Sequence, residues 1–526
     1  MKRAHPVLGL GLGFLLAVTA PAGAQVSLSN LLEARAGPDP FDPTQPGGRT
    51  SLYDGLDLGY VRESLRLGLR FETERNSQDQ FAYAALTQRF VEWSERDGDR
   101  SFRGRVGNFH TILGRGLIHR SFEVPGVVLD AAGPDSRFAL SRDVDGALLE
   151  GGVGALSARA LAGSPNGATI SPGFEEQLGL SRHQGHIIGG QLEYAPRPWA
   201  RVGTAHLKDV PPAGPAPVNE RSHGTGFIDL DPLLALGSDG IALPIYAEYA
   251  QTNGSFGDWL TVRTGDDVPH ALYGALNLLA GPVTLAAEWK DYEDFRFGTN
   301  DPPSLVREHA YALLNRNTHV LNASSEQGYQ LEAAGTAARW GTLTVNLSRG
   351  DGRFSTRTPR FESRYFEFHV AGDSSGLLRG RGEATLFHER GRDEFTFITR
   401  REVTGAAGSF VVDGPWSVTL DVERHHATRV PATGFRDDYV SASLQRATWG
   451  ALGVTWERST DPLQEDFDRP AVARTFLAAT FNARLSPRHE ATILVGSRRG
   501  GLACTAGTCY EVPAFEGVEL RLTSAL

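Results

Sequence analysis

Val283, Leu285, Ala287 and Trp289 occupy alternate positions of one segment, with Thr284, Ala286, Glu288 and Lys290 between them. In an extended chain the two sets point to opposite faces. The period recurs. Leu65, Leu67, Leu69 and Phe71 oppose Arg66, Gly68, Arg70 and Glu72, and Leu343, Val345 and Leu347 oppose Thr344, Asn346 and Ser348. Trp416, Val418, Leu420 and Val422 oppose Ser417, Thr419, Asp421 and Glu423, while Leu452, Val454 and Trp456 oppose Gly453, Thr455 and Glu457. About twenty such segments follow one another with no helical period between them. A soluble sandwich strand also alternates, but its apolar face needs a second sheet. Behind an export signal, this long series predicts an all-β chain: a transmembrane antiparallel up-and-down β-barrel with lipid outside and water inside. The segments number about 22, with 18 to 24 compatible with the pattern.

The export signal occupies residues 1–24. Lys2 and Arg3 form a positive n-region, Val7 to Ala20 an apolar h-region, and Ala22-Gly23-Ala24 a small-x-small cleavage site. The mature chain is expected to begin at Gln25, in the outer membrane of a Gram-negative cell. Residues 25–58 are rich in Pro, Gly and Asp around Gly37–Gly48 and read as an irregular periplasmic lead-in. Residues 59–526 read as the barrel.

Turn signals test the topology. Short turns fall at Ala280-Gly281-Pro282, Arg339-Trp340-Gly341, Asp413-Gly414-Pro415, Thr448-Trp449 and Ser486-Pro487-Arg488. Longer polar connections fall at Asp291–Gln327, Arg349–Arg360, His425–Arg436, Ser459–Val472 and Arg498–Ala514. Short periplasmic turns and long surface loops must alternate. They do if Glu394–Val412 is one strand kinked at Gly405 and Gly408. Tryptophans 340, 416, 449 and 456 lie at or near strand ends, where membrane interfaces favour them. The final strand sets Val518, Leu520, Leu522 and Leu526 against Glu519, Arg521 and Thr523, resembling the terminal signal read by the outer-membrane barrel assembly machinery.

Composition agrees with many turns and a half-polar wall: 61 Gly, 29 Pro, two Cys and one Met in 526 residues. Without Lys2 and Arg3 the chain has 50 basic and 62 acidic residues, net −12, with no basic patch for nucleic acid. Cys504 and Cys509 share a Gly-rich loop and are expected to form a small disulfide; no further Cys or His completes a metal set there. His183 and His186 on a strand point to opposite faces, and His425 and His426 sit at a strand end, so all four read as solvated turn histidines. No cofactor or metal is expected. No Ser-His-carboxylate motif or phosphate loop is specific enough to name, and the chain is read as no enzyme. The longest connection, Asp291–Gln327, gathers Arg307, Glu308, His309 and Arg316. It is either an ordinary surface loop or one folded inward to set a constriction. Arg66, Arg70, Glu288, Lys290, Asp421 and Glu423 are expected to line water.

Three stretches carry a family resemblance. The first is Gly107-Asn108-Phe109-His110-Thr111-Ile112-Leu113-Gly114-Arg115-Gly116-Leu117 with Arg120, Phe122 and Glu123. The second is Pro302 to His309 with Leu314 to His319. The third runs from Gly500-Gly501 through Cys504, Gly507, Cys509, Val512, Pro513, Phe515 and Gly517. Together they resemble the DUF6029 family of uncharacterised bacterial outer-membrane proteins. The resemblance implies an outer-membrane barrel and no activity. The sequence thus leads to a porin-like barrel admitting small hydrophilic solutes. Its rivals are a non-conducting scaffold that docks a partner through residues 25–58, and a barrel enzyme.

Overall fold

The computed structural model describes residues 24–37, 49–77, 82–124, 140–166, 185–210, 221–238, 240–253, 268–295, 297–307, 309–316, 318–319, 325–337, 341–353, 362–430, 433–461, 474–505, 508–512 and 514–525. Residues 1–23 of the leader, Glu308, His183 and Trp340 lie outside them. Among the described residues, 24 strands form the wall. They are β1 Ala24–Gly37, β2 Arg49–Arg62, β3 Leu65–Asn76, β4 Tyr83–Asp97, β5 Arg100–Phe109 and β6 Val144–Val153. Next come β7 Leu156–Pro165, β8 His186–Arg197, β9 Ala200–Val210, β10 Arg221–Leu230, β11 Ile245–Asn253 and β12 His270–Ala280. Then follow β13 Val283–Glu293, β14 Ser325–Ala337, β15 Gly341–Arg353, β16 Glu362–Gly376, β17 Gly382–Asp393 and β18 Ile398–Asp413. The last are β19 Trp416–Arg429, β20 Thr433–Arg446, β21 Gly450–Ser459, β22 Arg474–Ser486, β23 His489–Arg498 and β24 Phe515–Ala525.

Each strand pairs antiparallel with its neighbour, and β1 pairs with β24, so the sheet closes on itself. Closure removes every edge, which a wall in lipid requires. The strand count lies within the range read from the alternation. At about 4.8 Å per strand the wall measures about 115 Å around, too wide for side chains to fill.

The outer face is apolar as expected: Val283 is 42% exposed, Leu285 41%, Trp289 39%, Leu69 46%, Leu420 45%, Leu452 52% and Leu520 48%. On the inner face Asn346, Ser348, Glu367, Glu389 and His425 are 1% exposed or less. The tight turns at Gly281-Pro282, Gly414-Pro415 and Pro487-Arg488 all lie at one end of the barrel, together with Ala24 and Ala525. The long connections lie at the other.

Four expectations are corrected. Residues 25–58 are not a lead-in, because they supply β1 and β2. Asn30 and Asp54 interrupt the outer apolar stripes of these strands, and Asn30 Nδ2 donates to Asp54 Oδ1 at 2.5 Å, so each satisfies the other on the outer face. Glu394–Val412 is not a single strand kinked at its glycines. Glu394–Thr396 form a 3₁₀ turn, and the register shifts lie at Ile398/Arg400 and Val411/Asp413. Gly405 instead lies under the Phe387 ring, where a Cβ would come within 2.2 Å of it. His425–Arg436 is not a long loop, since β19 runs to Arg429 and β20 begins at Thr433. His425 is therefore no turn residue: it faces inward, with Nδ1 2.9 Å from Asp437 Oδ2, while His426 points out.

Candidate functional site

Among the described residues, the connections after β5 and after β13 fold into the lumen. The second, described to His319, leaves β13 through an apolar corner in which Phe295 is fully buried and His223 stacks on Phe297 at 3.6 Å. Asn300 Nδ2 donates to Phe295 O at 2.7 Å, and the Tyr292 hydroxyl donates to Pro303 O at 2.9 Å. Leu305 adopts a left-handed φ of 56°, a conformation that costs a non-glycine residue about 1–3 kcal/mol and persists only where packing enforces it. Leu305 is 6% exposed, so packing does enforce it.

From there the loop follows the inner face of the wall, from β14 towards β21. Arg307 pairs with Glu332 on β14. His309 Nε2 lies 3.2 Å from both Glu367 Oε1 on β16 and Glu389 Oε2 on β17. Tyr311 stacks on Phe387 with centroids 3.9 Å apart. A short helix, Ala312–Arg316, then meets β19, where the Glu423 carboxylate accepts the Ala312 and Leu313 N–H groups at 2.7 and 2.8 Å. Leu313 and Leu314 are buried against Ala371, Phe387, Val403 and Tyr439. Arg316 pairs with Glu457 on β21, which also takes Arg499 at 2.9 Å. The returning chain sets His319 between Asp393 at 3.0 Å and Glu326 at 3.3 Å, with its ring on Tyr365. Burial alone would lower the His319 pKa, but the hydrogen bonds its ring donates to both carboxylates, with their charge, outweigh it and raise it to about 9.

The first inward connection follows β5. Leu113, Leu117 and Ile118 are fully buried in one cluster with Leu148, Leu161 and Ile187 of the wall. Gly114 N donates to Gln191 Oε1 at 2.8 Å and Arg115 N to Glu248 Oε2 at 2.7 Å. Glu248 also accepts from Thr225 and Tyr246. Gly114 has φ 58°, and a Cβ there would meet Glu248 Oε1 at 2.1 Å. The two loops lock together: Arg120 pairs with Asp301 at 2.8 Å, and Asp301 N donates to Gly116 O. Between them they brace the inner face from β3 round to β21.

Of the residues singled out by sequence, Arg307, His309 and Arg316 come together on this loop, which folds inward. They clamp it to the wall. Lys290 does not line water: it is 1% exposed, pairs with Glu326 and donates to Ser304 O, because the loop lies over it. Glu423 is likewise covered, at 1% exposed. Glu288 faces inward and accepts from Tyr273 at 2.9 Å, and Asp421 is half-buried on the inner face of β19. Arg66 and Arg70 stand apart on β3. Arg66 begins a cross-strand ladder of charges, Arg66–Glu92–Arg103–Glu150–Arg159, over β3 to β7. Arg70 bridges Asp57 and Glu123, tying the first loop to the wall. Residues Gly501–Thr505 and Thr508–Val512 form a hairpin that opposes Cys504 to Cys509 and touches the helix Ala312–Arg316. Sequence reasoning missed the inward course of the first loop and the buried charges Glu248, Glu367, Glu389 and Arg401. Their partners lie 34 to 133 positions away for the contacts of Arg401 with Glu367 and of Arg115 with Glu248, so no local motif marks them.

No protein-family model matches the sequence, and no curated protein matches it either. Solved structures match the shape at low identity. The P pilus usher (PapC) translocation pore aligns over 96% of this chain and 99% of its own, at 10% identity and TM-score 0.45. OccK5 (OpdH) of Pseudomonas aeruginosa aligns over 73% of this chain and 96% of its own, at 12% identity and TM-score 0.40. A BenF-like porin from Pseudomonas fluorescens Pf-5 covers 71% and 94%, at 11% identity and TM-score 0.38.

Proposed function

We propose that this protein is an outer-membrane channel that passes small hydrophilic solutes without energy input, through a lumen narrowed by the loop that leaves β13 and reaches His319. The observation that carries the reading is the loop itself. It lies along the inner wall of a barrel too wide to fill with side chains, and polar contacts fasten it to β14, β17 and β21. A fixed array of opposed charges inside a water-filled pore sets the field that a solute meets. In this reading the chain is exported, its leader is removed after Ala24, and β24 engages the barrel assembly machinery. The Cys504–Cys509 disulfide stiffens the hairpin against the helix Ala312–Arg316. The scaffold alternative loses most of its docking segment, because residues 25–37 and 49–58 are wall.

Purified protein reconstituted in planar bilayers tests the reading. We expect stepwise conductance that changes ion selectivity when Arg316→Gln and Glu457→Gln are introduced together. A folded barrel that gives no steps, either as wild type or with residues 306–318 replaced by a short Gly-Ser linker, refutes it.

A further inference from the structure

Where the inward loop meets β16 and β17, three buried donors converge. His309 belongs to the loop, His369 to β16 and Glu389 to β17, and one donor atom from each lies within 4.8 Å of the others. His369 and Glu389 are direct cross-strand partners, so the wall alone fixes two of the three. The side chains of His309, His369 and Glu389 are 2%, 1% and 0% exposed. His369 Nδ1 and Glu389 Oε2 have no hydrogen-bond partner, although both are buried and 3.7 Å apart. His309 Nε2 is hydrogen-bonded to Glu367 Oε1 and lies 3.2 Å from Glu389 Oε2 as well. Buried polar atoms ordinarily find partners, so two orphans aimed at each other point to a missing third body.

We infer that His309, His369 and Glu389 form a binding site for a first-row divalent cation, zinc by its donor set, which staples the loop to the barrel wall. Donors about 2.0–2.1 Å from a tetrahedral zinc stand about 3.3–3.4 Å from one another, close to the two separations above. The carboxylates are arranged for the role. Arg401 holds the outer oxygen of Glu389, Oε1, at 2.9 Å, and also takes Glu367 Oε2, which receives the Tyr365 hydroxyl as well. The inner oxygens, Glu389 Oε2 and Glu367 Oε1, are left facing His309. Such outer partners orient ligating carboxylates, and Glu367 Oε1 is placed to become the fourth donor. Two carboxylates face one guanidinium in this pocket, and a cation bound among them would replace any proton carried by the ligating atoms.

The test uses the full-length barrel in detergent, stripped with chelator and dialysed against zinc sulfate, with bound metal measured by mass spectrometry. One zinc per chain is expected. His369→Asn and Glu389→Gln should each weaken binding about tenfold or more, whereas the outer-face His388→Asn should not. Heat-modifiable gel mobility reports that each variant is folded. Cobalt loaded into the wild type gives an answer that needs no variant: intense visible absorption is expected from a four-coordinate site. A weak, aquo-like cobalt spectrum, no retained zinc, or equal zinc binding by the folded double variant would each overturn the site.

Discussion

Replacing Leu313 and Leu314 together by Ala separates the loop from the wall without touching a single wall hydrogen bond. Both side chains are buried, at 0% and 1% exposed, against Ala371, Phe387, Val403 and Tyr439. Undocked, they would face a water-filled lumen, so the ordinary cost of burying and uncovering apolar surface applies. A buried Leu→Ala change costs about 2–5 kcal/mol. Two at the lower bound remove about 4 kcal/mol from docking, about a thousandfold in the docked-to-undocked ratio. The ion pairs Arg307–Glu332 and Arg316–Glu457 remain but then have only the loop's own order to hold. We expect trypsin to cut at Arg307 and Arg316 far faster in the double variant, while heat-modifiable mobility and wall circular dichroism stay unchanged. Single-channel records should show larger or more frequent open steps. A folded variant whose loop stays as protected as wild type would refute the view that these two leucines hold the constriction.

Other consequences follow from the same geometry. His319 is raised from 6.5 to about 9, about 3 kcal/mol of preference for its charged form in the docked state. A raised folded pKa gives stabilisation that is complete below about pH 6.5 and lost as pH climbs through about 9. Loop protection should therefore fall between pH 7 and pH 10, and His319→Gln should flatten that profile; an unchanged slope in the variant would assign the effect elsewhere. Gly114→Ala forces a Cβ onto Glu248 at a left-handed φ, and we expect a loss of about 1–3 kcal/mol in docking of the first loop, read as faster cleavage at Arg115. Glu33→Ala breaks a buried pair with Arg521 and should lower barrel stability by about 3–5 kcal/mol, measured as a drop in the temperature of heat modification. No drop would mean that lumen water already screens the pair.

What the sequence disclosed was the wall. Val283 to Lys290 alternate because lipid and lumen impose opposite demands on successive residues, and Val283, Leu285 and Trp289 do lie on the outer face. The pattern failed at β1 and β2, where Asn30 and Asp54 replace apolar residues and satisfy each other across the strands. It also misread the inner face. Alternation says only that Lys290 and Glu423 point inward, and inward was equated with water, yet docked loops dry both positions. Docking depends on pairs such as Leu313 with Glu423, 110 positions apart, and Arg316 with Glu457, 141 apart. No window along the chain contains such a pair. The His309–His369–Glu389 cluster was hidden for the same reason, since one member belongs to a loop and two to the wall.

The seam between β1 and β24 also constrains how the molecule is made. Arg521 meets Glu33 across 488 positions, and Arg35 meets Glu519 beside it. Every other wall junction joins strands adjacent in the chain order of the wall and can form as soon as both have been delivered. This one waits for the last. Until then the growing sheet carries two unpaired edges, one of them made by β1, so that strand is the one left longest exposed to stray pairing. Its charged Glu33 and Arg35 act as a lock that accepts one late-arriving partner, and the time spent waiting for it should govern the yield of closed barrels.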